Sequence, residues 1–517
     1  KGGEFRKWYG NHNYVVNWEN SGEAIHEFHN LPLTYNGAPV RAKSFQFRES
    51  ISWSFVTSGS FAVRYYPQGF MFDVAGSSVF SEIKTLKNIM GLLNSKIAEV
   101  ILQVFNPTLN FQVGNISSIP FLEDSVIEES INDVYEISKS EWDIHENSWN
   151  FKQNELVRIK GNDDVEFEEV YYLFIQLWVK KFLNLHFLEE AINKKLIELY
   201  DLSGELTPLI SLENISLLQD ELDKKSIKRI NKLLVRDPIN LSVQNYKEIT
   251  LPFLSSELVA QFLSYSVGVM VGRYSLDEKG LILANQEETL RNYFDIIGKS
   301  IPECSFPPDE DNIIPILDNE WFEDDIVSRF YKFLRVTFGE KNFIKNLAFI
   351  EAQIDKDIRK YFIKDFYPDH IKRYKKRPIY WMFSSPKGSF NVLIYMHRYT
   401  PDMVSNILNK YLKEFIGKLN TRKEHLQRIQ VTGSASDKTK AIKEIDNIDK
   451  MLVDLHEYER DILYPLATER IEIDLDDGVL VNYNKFGKAV KEVNGINDPA
   501  TKKKVKQFDW IDTNQIR

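Results

Sequence analysis

A strongly periodic stretch at residues 81–121 constrains the fold more than any other part of the sequence. Its apolar side chains recur every three or four positions, which predicts one helix with a buried face over residues 81–105. Ser81 can cap its start, and Asn106-Pro107 predicts its end, because the residue before a proline disfavours the α region. The apolar positions are Ile83, Leu86, Ile89, Leu93, Ile97, Val100 and Val104.

A run of amides and hydroxyls follows this helix. They alternate with apolar residues, and Gly114-Asn115 predicts a turn. Such side chains can bond base edges or phosphates without a fixed charge, but taken alone the pattern favours a solvated strand and turn. The polar positions are Asn106, Thr108, Asn110, Gln112, Asn115, Ser117 and Ser118.

Basic and aromatic residues interleave over residues 1–80. Short aromatic or β-branched runs, such as 14–18 and 60–65, predict a mixture of strands and loops. Arginine can bind guanine or phosphate through two hydrogen bonds, and hydroxyls can bind phosphates; the alternative is a solvated face with cation–π pairs. The candidate DNA contacts here are Arg6, Lys7, Arg41, Lys43, Arg48, Arg64, Ser77 and Ser78.

The formal net charge of −10 is unevenly distributed. Residues 121–170 hold fifteen acids against four Lys or Arg, whereas residues 354–387 hold ten Lys or Arg against four acids. Local patches decide nucleic-acid binding, not the total. A second candidate contact therefore lies just before the aromatic run 379–383 and a Ser/Gly turn, with a solvated face as the alternative. Its residues are Lys372, Arg373, Lys375 and Lys376.

The patterns together predict an α+β fold in several parts. Apolar stripes on residues 402–430 and 439–462, joined by a small polar connector, predict two antiparallel helices closed by Tyr464-Pro465. The predicted segments are a DNA target-recognition domain at 1–122, a helical spacer at 123–245, a mixed helical domain with the basic cluster at 246–400, the helical hairpin at 401–465, and a tail at 466–517.

Several long blocks of the chain resemble a known family. They are KGGEFRKWYGN, LLNSK with NPTLNFQVGNISSIP, GRYSLDEKGLILAN, KRPIYWMFSSPKGSFNVLIYMHRYTPD and DILYPLATERIEIDLDDGVLVNYNKFGKAV. In this order they resemble the target-recognition part of the PglX family, the adenine-specific DNA methyltransferases of BREX phage-defence systems. More distantly they resemble type IIG restriction-modification enzymes.

This resemblance implies sequence-specific recognition of double-stranded DNA that guides methyl transfer to an adenine by a preceding domain. Further implied partners are other BREX proteins and phage inhibitors that mimic DNA. Neither a glycine-rich cofactor loop nor an Asn/Asp-Pro-Pro-aromatic motif occurs, since Asn106-Pro107-Thr108-Leu109 lacks the second proline and the aromatic. The chain also opens without methionine, as a fragment would. We therefore expect S-adenosylmethionine to bind the parent protein only, and we assign no catalytic, cofactor-binding or metal residue.

Two other classes of function stay open. One is a protein-interaction scaffold within the defence complex. The other is a nuclease, since Asp73, Glu82 and Lys84 have the spacing of a D…ExK metal site, although Glu82 is predicted to open a helix. The sequence contains no run of about eighteen apolar residues, so it predicts no membrane span. Its single cysteine, Cys304, fits a reducing cytoplasm.

Overall fold

The computed structural model describes most of the chain, as two compact units. Unit 1 comprises Lys1–Phe151 and Tyr172–Glu257, and unit 2 comprises Lys152–Tyr171 and Leu258–Arg517. The five predicted segments divide the chain at other places and stay a prediction; the helix stop at Pro107 and the boundary at 245/246 lie outside the described residues. Those described are 2–57, 60–106, 108–122, 127–161, 164–236 (backbone alone for 232–236), 250–508 and 511–517.

Helices dominate both units. The described helices are α1 (Glu23–Phe28), α2 (Ile83–Leu93), α3 (Lys96–Phe105), α4 (Val113–Ser117), α5 (Glu128–Trp142), α6 (Glu155–Ile159), α7 (Phe167–Leu199), α8 (Lys224–Arg236), α9 (Ser255–Met270), α10 (Leu290–Ile297), α11 (Ile326–Phe338), α12 (Phe343–Ile354), α13 (Ile358–Lys364), α14 (Phe366–Arg373), α15 (Met403–Asn406), α16 (Lys413–Thr432), α17 (Ala435–Tyr458), α18 (Tyr464–Glu469), α19 (Gly478–Lys485) and α20 (Pro499–Val505). One π-helical segment, Ile407–Leu412, joins α15 to α16, and another, Glu459–Leu463, joins α17 to α18.

Two small antiparallel sheets complete the architecture and confirm the α+β class. Unit 1 holds the order β2-β1-β3, and unit 2 holds β4-β6-β5. In the run 60–65 only residues 63–65 are strand, and the run 14–18 is a largely exposed loop. The strands are β1 (Ser50–Trp53), β2 (Val63–Tyr66), β3 (Ser78–Val79), β4 (Ile314–Pro315), β5 (Tyr380–Ser384) and β6 (Asn391–Tyr395).

The single helix predicted for residues 81–105 is wrong, because the chain breaks at Asn94. The buried side chain of Asn94 accepts a hydrogen bond from the Val63 amide at 2.9 Å and donates one to the Val63 carbonyl at 3.1 Å. These bonds tie the end of α2 to the start of β2. Ser95 then precedes α3, and the Lys96 amide donates to Asn193 Oδ1 at 2.9 Å. Hydrogen bonds to distant residues thus interrupt the helix, although its apolar stripe is continuous.

We expect Asn94→Leu to lower the free energy of unfolding by about 1–3 kcal/mol, because the buried Val63 amide loses its acceptor. The matched control is Asn88→Leu on the same helix. Asn88 is equally buried, but its side-chain amide has no hydrogen-bond partner among the described residues. Urea unfolding should show a loss for the first variant and none for the second. Equal losses of unfolding free energy for the two variants would contradict a stabilising role for the Asn94–Val63 hydrogen bonds.

The predicted helical hairpin is present in unit 2. Helices α16 and α17 are joined by Gly433 and Ser434 alone, and Ser434 caps α17 by accepting from the Asp437 amide. The Arg422–Glu444 pair joins the two helices at 2.7 Å. Pro465 does not close the hairpin, because it lies in the first turn of α18, where the missing amide costs little. The buried seam includes Phe415, Leu419, Leu426, Ala441, Ile448, Leu452 and Leu455.

We expect Leu452→Asp to destabilise the protein by about 3 kcal/mol or more, because an unpaired charge enters the seam. The neighbouring Val453 is 53% exposed on the same helix, so Val453→Asp is the control and should cost little. Thermal melting of both variants tests this. If Leu452→Asp melts at the wild-type temperature, the seam is not a packing interface.

Candidate nucleic-acid interface

Part of the polar segment after α3 is held by its own hydrogen bonds. Asn106 Nδ2 donates to the Asn110 carbonyl at 2.7 Å, and Thr108 Oγ1 donates to Asn106 Oδ1 at 2.6 Å. The Gln112 amide donates to Asn115 Oδ1 at 3.0 Å and so caps α4. The predicted strand and turn are therefore replaced by a loop and a short helix. Asn106 and Asn115 are structural, because local side-chain-to-backbone bonds use their amides.

Asn106 and residues 108–112, which we call the amide loop, are fixed to β1 and the residues after it. Trp53 Nε1 donates to the Phe111 carbonyl at 2.9 Å, and the Phe111 amide donates to the Phe55 carbonyl at 2.8 Å. The Thr57 amide donates to the Leu109 carbonyl at 3.2 Å. All these bonds meet backbone atoms of the loop, so they leave the side chain of Asn110 available.

The amide loop presents uncharged polar groups beside apolar surface. Asn110 and Gln112 are exposed, and Leu109 and Val113 flank them at 58% and 59% exposure. An amide can bond adenine through two hydrogen bonds, and an apolar side chain can contact the thymine methyl group. This combination suits contact with base edges better than contact with phosphates, which favour positive charge.

Three of the predicted DNA contacts are buried within the fold, which argues against their contact with DNA. Arg6 pairs with Glu141, Lys7 Nζ lies 2.7 Å from Glu189 Oε2, and Arg64 is 1% exposed within β2. The guanidinium of Arg6 also lies over the Trp142 ring, 4.7 Å from its centroid. The sequence shows only that these charges alternate with aromatics; their carboxylate partners are 135 and 182 residues away along the chain.

A group of two acids and a histidine lies beside these pairs. Ligand atoms of Glu141, His145 and Glu221 are within 4.8 Å of one another, the one such group found among the described residues. Burial alone lowers the pKa of His145, but the charge and hydrogen bond of Glu221 and the charge of Glu141 raise it to about 9. The imidazole is therefore protonated at neutral pH, and Arg6 bonds Glu141. These residues form an ion-pair network.

The other candidates in residues 1–80 differ in accessibility. Arg41 and Arg48 are exposed, and Arg48 lies over the Phe45 ring at 5.3 Å. Lys43 Nζ lies 3.1 Å from His26 Nε2, and Ser77 Oγ donates to the Val74 carbonyl at 3.4 Å. The hydroxyl of Ser78 is buried, which argues against phosphate contact through it.

We expect Lys7→Met to lower the free energy of unfolding by about 3–5 kcal/mol, because the buried carboxylate of Glu189 loses its counter-charge. Arg48→Ala removes an exposed charge of the same sign and should stay within about 0.5 kcal/mol of wild type. Chemical denaturation measures both. A Lys7→Met variant of unchanged stability with weaker DNA binding would restore Lys7 as a DNA contact.

The basic cluster of unit 2 lies at the end of α14. Lys372, Lys375 and Lys376 are exposed, whereas Arg373 is half-buried. Lys375 and Lys376 have φ of 50° and 61°, so the chain leaves the helix through a left-handed turn. The three exposed lysines are accessible to phosphate.

The aromatic run after this cluster, residues 379–383, is buried. Tyr380, Trp381 and Phe383 are each at 0% exposure in β5. The turn that follows is held by Asp454 of α17, which accepts from Ser385 Oγ at 2.6 Å and from the Lys387 amide at 3.1 Å. The aromatic run lies in the core and the turn is bonded to α17, so neither provides a surface on which DNA bases could stack.

The nuclease alternative gains no support from the local geometry. Glu82 precedes α2 and Lys84 lies in its first turn, both exposed, whereas a D…ExK site requires these residues on a buried strand. Asp73 accepts from the Gly76 amide at 2.9 Å within an exposed turn. None of the three belongs to the grouped acids and histidines of the described residues.

Sequence reasoning missed one charged element, helix α8. Residues 224–229 read KKSIKR, and Lys224, Lys225, Lys228 and Arg229 are exposed. The acidity of residues 121–170 concealed this run when the whole spacer was characterised together. A charge count over shorter windows would have found it.

No helix in the described ranges combines the length and apolarity required to cross a bilayer.

The chain resembles two curated proteins over nearly its full length. It is 34% identical, over 97% of its residues, to the adenine-specific methyltransferase BrxX of Escherichia coli O9:H4 (strain HS). It is also 34% identical, over 94% of its residues, to the adenine-specific methyltransferase PglX of Lacticaseibacillus casei (strain Zhang). No family model matches the chain.

These matches identify the family. The chain belongs to the PglX family of adenine-specific methyltransferases, which confirms the resemblance seen in its sequence blocks. It covers 40% of the BrxX protein and 38% of the PglX protein, so it spans about two fifths of the length of the curated relatives it matches.

Proposed function

We propose that this chain recognises double-stranded DNA in a sequence-specific manner for an adenine-specific methyltransferase of a BREX-type defence system. The observation that carries the proposal is the amide loop, where exposed Asn110 and Gln112 lie between exposed apolar side chains on a backbone fixed to β1. Such a surface offers hydrogen bonds and methyl contacts in a fixed geometry, which base readout requires.

In this proposal the methyl transfer itself belongs to another domain of the same polypeptide. That domain binds S-adenosylmethionine, and this chain selects the sequence that presents the target adenine. The methylated site marks host DNA, which the defence system then spares. Other BREX proteins and phage inhibitors that mimic DNA are the further partners of such a chain.

Phosphate contacts complete the proposal. Exposed Arg41 and Arg48 serve in unit 1, and Lys372, Lys375 and Lys376 serve in unit 2. Such contacts supply affinity that ignores sequence and weakens with salt, whereas base contacts supply discrimination. The two kinds of residue are therefore separable by measurement.

A protein-interaction scaffold is the second candidate, and one observation favours it. Val104 and Phe105 at the end of α3 are 75% and 54% exposed, close in sequence to Leu109 and Val113. Exposed apolar side chains that are near one another can bind a partner protein. Val104→Ser would then weaken assembly with other defence proteins in a pull-down and leave DNA affinity unchanged.

The amide loop is tested by selection from a pool of randomised duplexes. The 517-residue chain should enrich a defined sequence. Asn110→Ala should then weaken binding to the enriched duplex by about 1–3 kcal/mol and barely change binding to a scrambled one, because it removes base readout alone. Its thermal stability should be that of the wild type, since Asn110 joins the frame only through its backbone.

Asn106→Ala is the matched control, because it removes a structural amide from the same loop. It should lower stability and weaken binding to both duplexes. Absence of any enriched sequence would overturn the proposed function. Equal losses by Asn110→Ala on both duplexes would remove Asn110 from the reading role.

A further inference from the structure

Helix α8 presents a concentrated positive charge in unit 1. Lys224, Lys225, Lys228 and Arg229 are exposed, and no acid occurs between positions 224 and 236. The four-residue spacing brings Lys224 beside Lys228 and Lys225 beside Arg229 on the helix surface. Like charges at this spacing repel one another, so this face is suited to an anionic partner.

Nearby acids neutralise little of this charge. Asp223 bonds the Ser226 hydroxyl at 2.6 Å and the Ser226 amide at 3.1 Å, which commits it to capping the helix. Glu213 lies 3.6 Å from Lys228 Nζ, but both side chains are solvent-exposed, and exposed pairs contribute little. Among the described residues this is the one ion pair that the four basic side chains make.

The other side of α8 is already occupied by protein. Ile227 is 4% exposed, and the Leu212 amide donates to Asn231 Oδ1 at 3.2 Å. Ile227 and Leu212 line the same cavity of about 370 Å³. The apolar side chain of Ile227 thus packs within unit 1, and what residues 224–229 offer to a partner is charge. This arrangement favours a polyanion over a lipid bilayer, which would require a free apolar face.

A continuous series of neighbours connects α8 to the amide loop. Ser60 lines the cavity that Lys224 and Lys228 also line. Ser60 and Phe61 line a second, smaller cavity, and the Phe61 ring lies 4.9 Å from the ring of Phe111, between Asn110 and Gln112. The basic helix and the candidate reading residues therefore belong to one connected part of unit 1.

We propose that α8 is a phosphate-binding element that holds the DNA backbone while the amide loop reads bases. The inference rests on the proposed function and assigns it a second contact. Residues four apart on a helix are about 6 Å apart along its axis, so Lys225 and Arg229 present two neighbouring positive charges to the DNA backbone. Lysine and arginine bind phosphates without regard to sequence, so α8 supplies affinity and register, and no discrimination.

The test neutralises two side chains that make no ion pair with a described residue. Lys225→Gln/Arg229→Gln should weaken binding of the 517-residue chain to a random-sequence duplex and to the enriched duplex by the same factor. The slope of log affinity against log salt should fall by about two units, since each phosphate contact contributes roughly 0.9. The ratio of wild-type to variant affinity then shrinks about tenfold between 50 and 200 mM salt.

The matched control is Lys440→Gln/Lys443→Gln on α17, which removes the same charge from exposed positions of unit 2. It should leave the salt slope unchanged, and both double variants should melt as the wild type. Equal slopes for the two double variants would overturn the role of α8 and leave the proposed function standing. A wild-type chain that binds no duplex would overturn both.

A third outcome concerns the kind of partner. If the α8 variant keeps its duplex affinity but loses binding to phosphatidylserine vesicles or to a polyglutamate peptide, the helix serves another anionic surface, and the nucleic-acid assignment is wrong. Asn110→Ala provides the internal contrast, because it should change the ratio of enriched to random binding and leave the salt slope intact.

Discussion

Buried ion pairs fix the first segment of the chain, and much of unit 1 depends on them. Arg6 and Lys7 meet Glu141 and Glu189, and the Trp8 indole donates to the second of these carboxylates at 2.7 Å. Carboxylates removed from water are tolerable only with such partners. The segment is thereby held beside β2, where the Trp8 amide donates to the Val63 carbonyl at 3.0 Å.

A series of hydrogen bonds connects this segment to the candidate site. Asn94 clamps the start of β2, β2 pairs with β1, and Trp53 at the end of β1 holds the Phe111 carbonyl. Each step is a hydrogen bond made by a buried group, so each is strengthened by exclusion of water. Through these steps, the position of the amide loop depends on the buried ion pairs of Arg6 and Lys7.

The periodic spacing of apolar residues predicted those features of the fold that depend on residues close together in the sequence. The α16–α17 hairpin and the α+β class follow from repeats of three and four residues and from short β-branched runs. The break at Asn94 could not be predicted in this way, because its cause is a strand about thirty residues earlier in the chain. The burial of Arg6, Lys7 and Arg64 could not be predicted for the same reason: a sequence shows the charge of a side chain, but not the distant carboxylate or strand that buries it.

The amide loop is built so that structure and readout use different atoms. Its frame bonds reach the backbone of Leu109, Asn110 and Phe111, while the side chains at 110 and 112 carry the proposed specificity. Substitution of Asn110 therefore leaves these bonds in place, whereas the side chain of Gln112 also takes part in the capping box of α4. Under the proposed function, a change at position 110 alters which sequence is recognised without weakening the fold that presents it, so recognition can diverge while stability is kept.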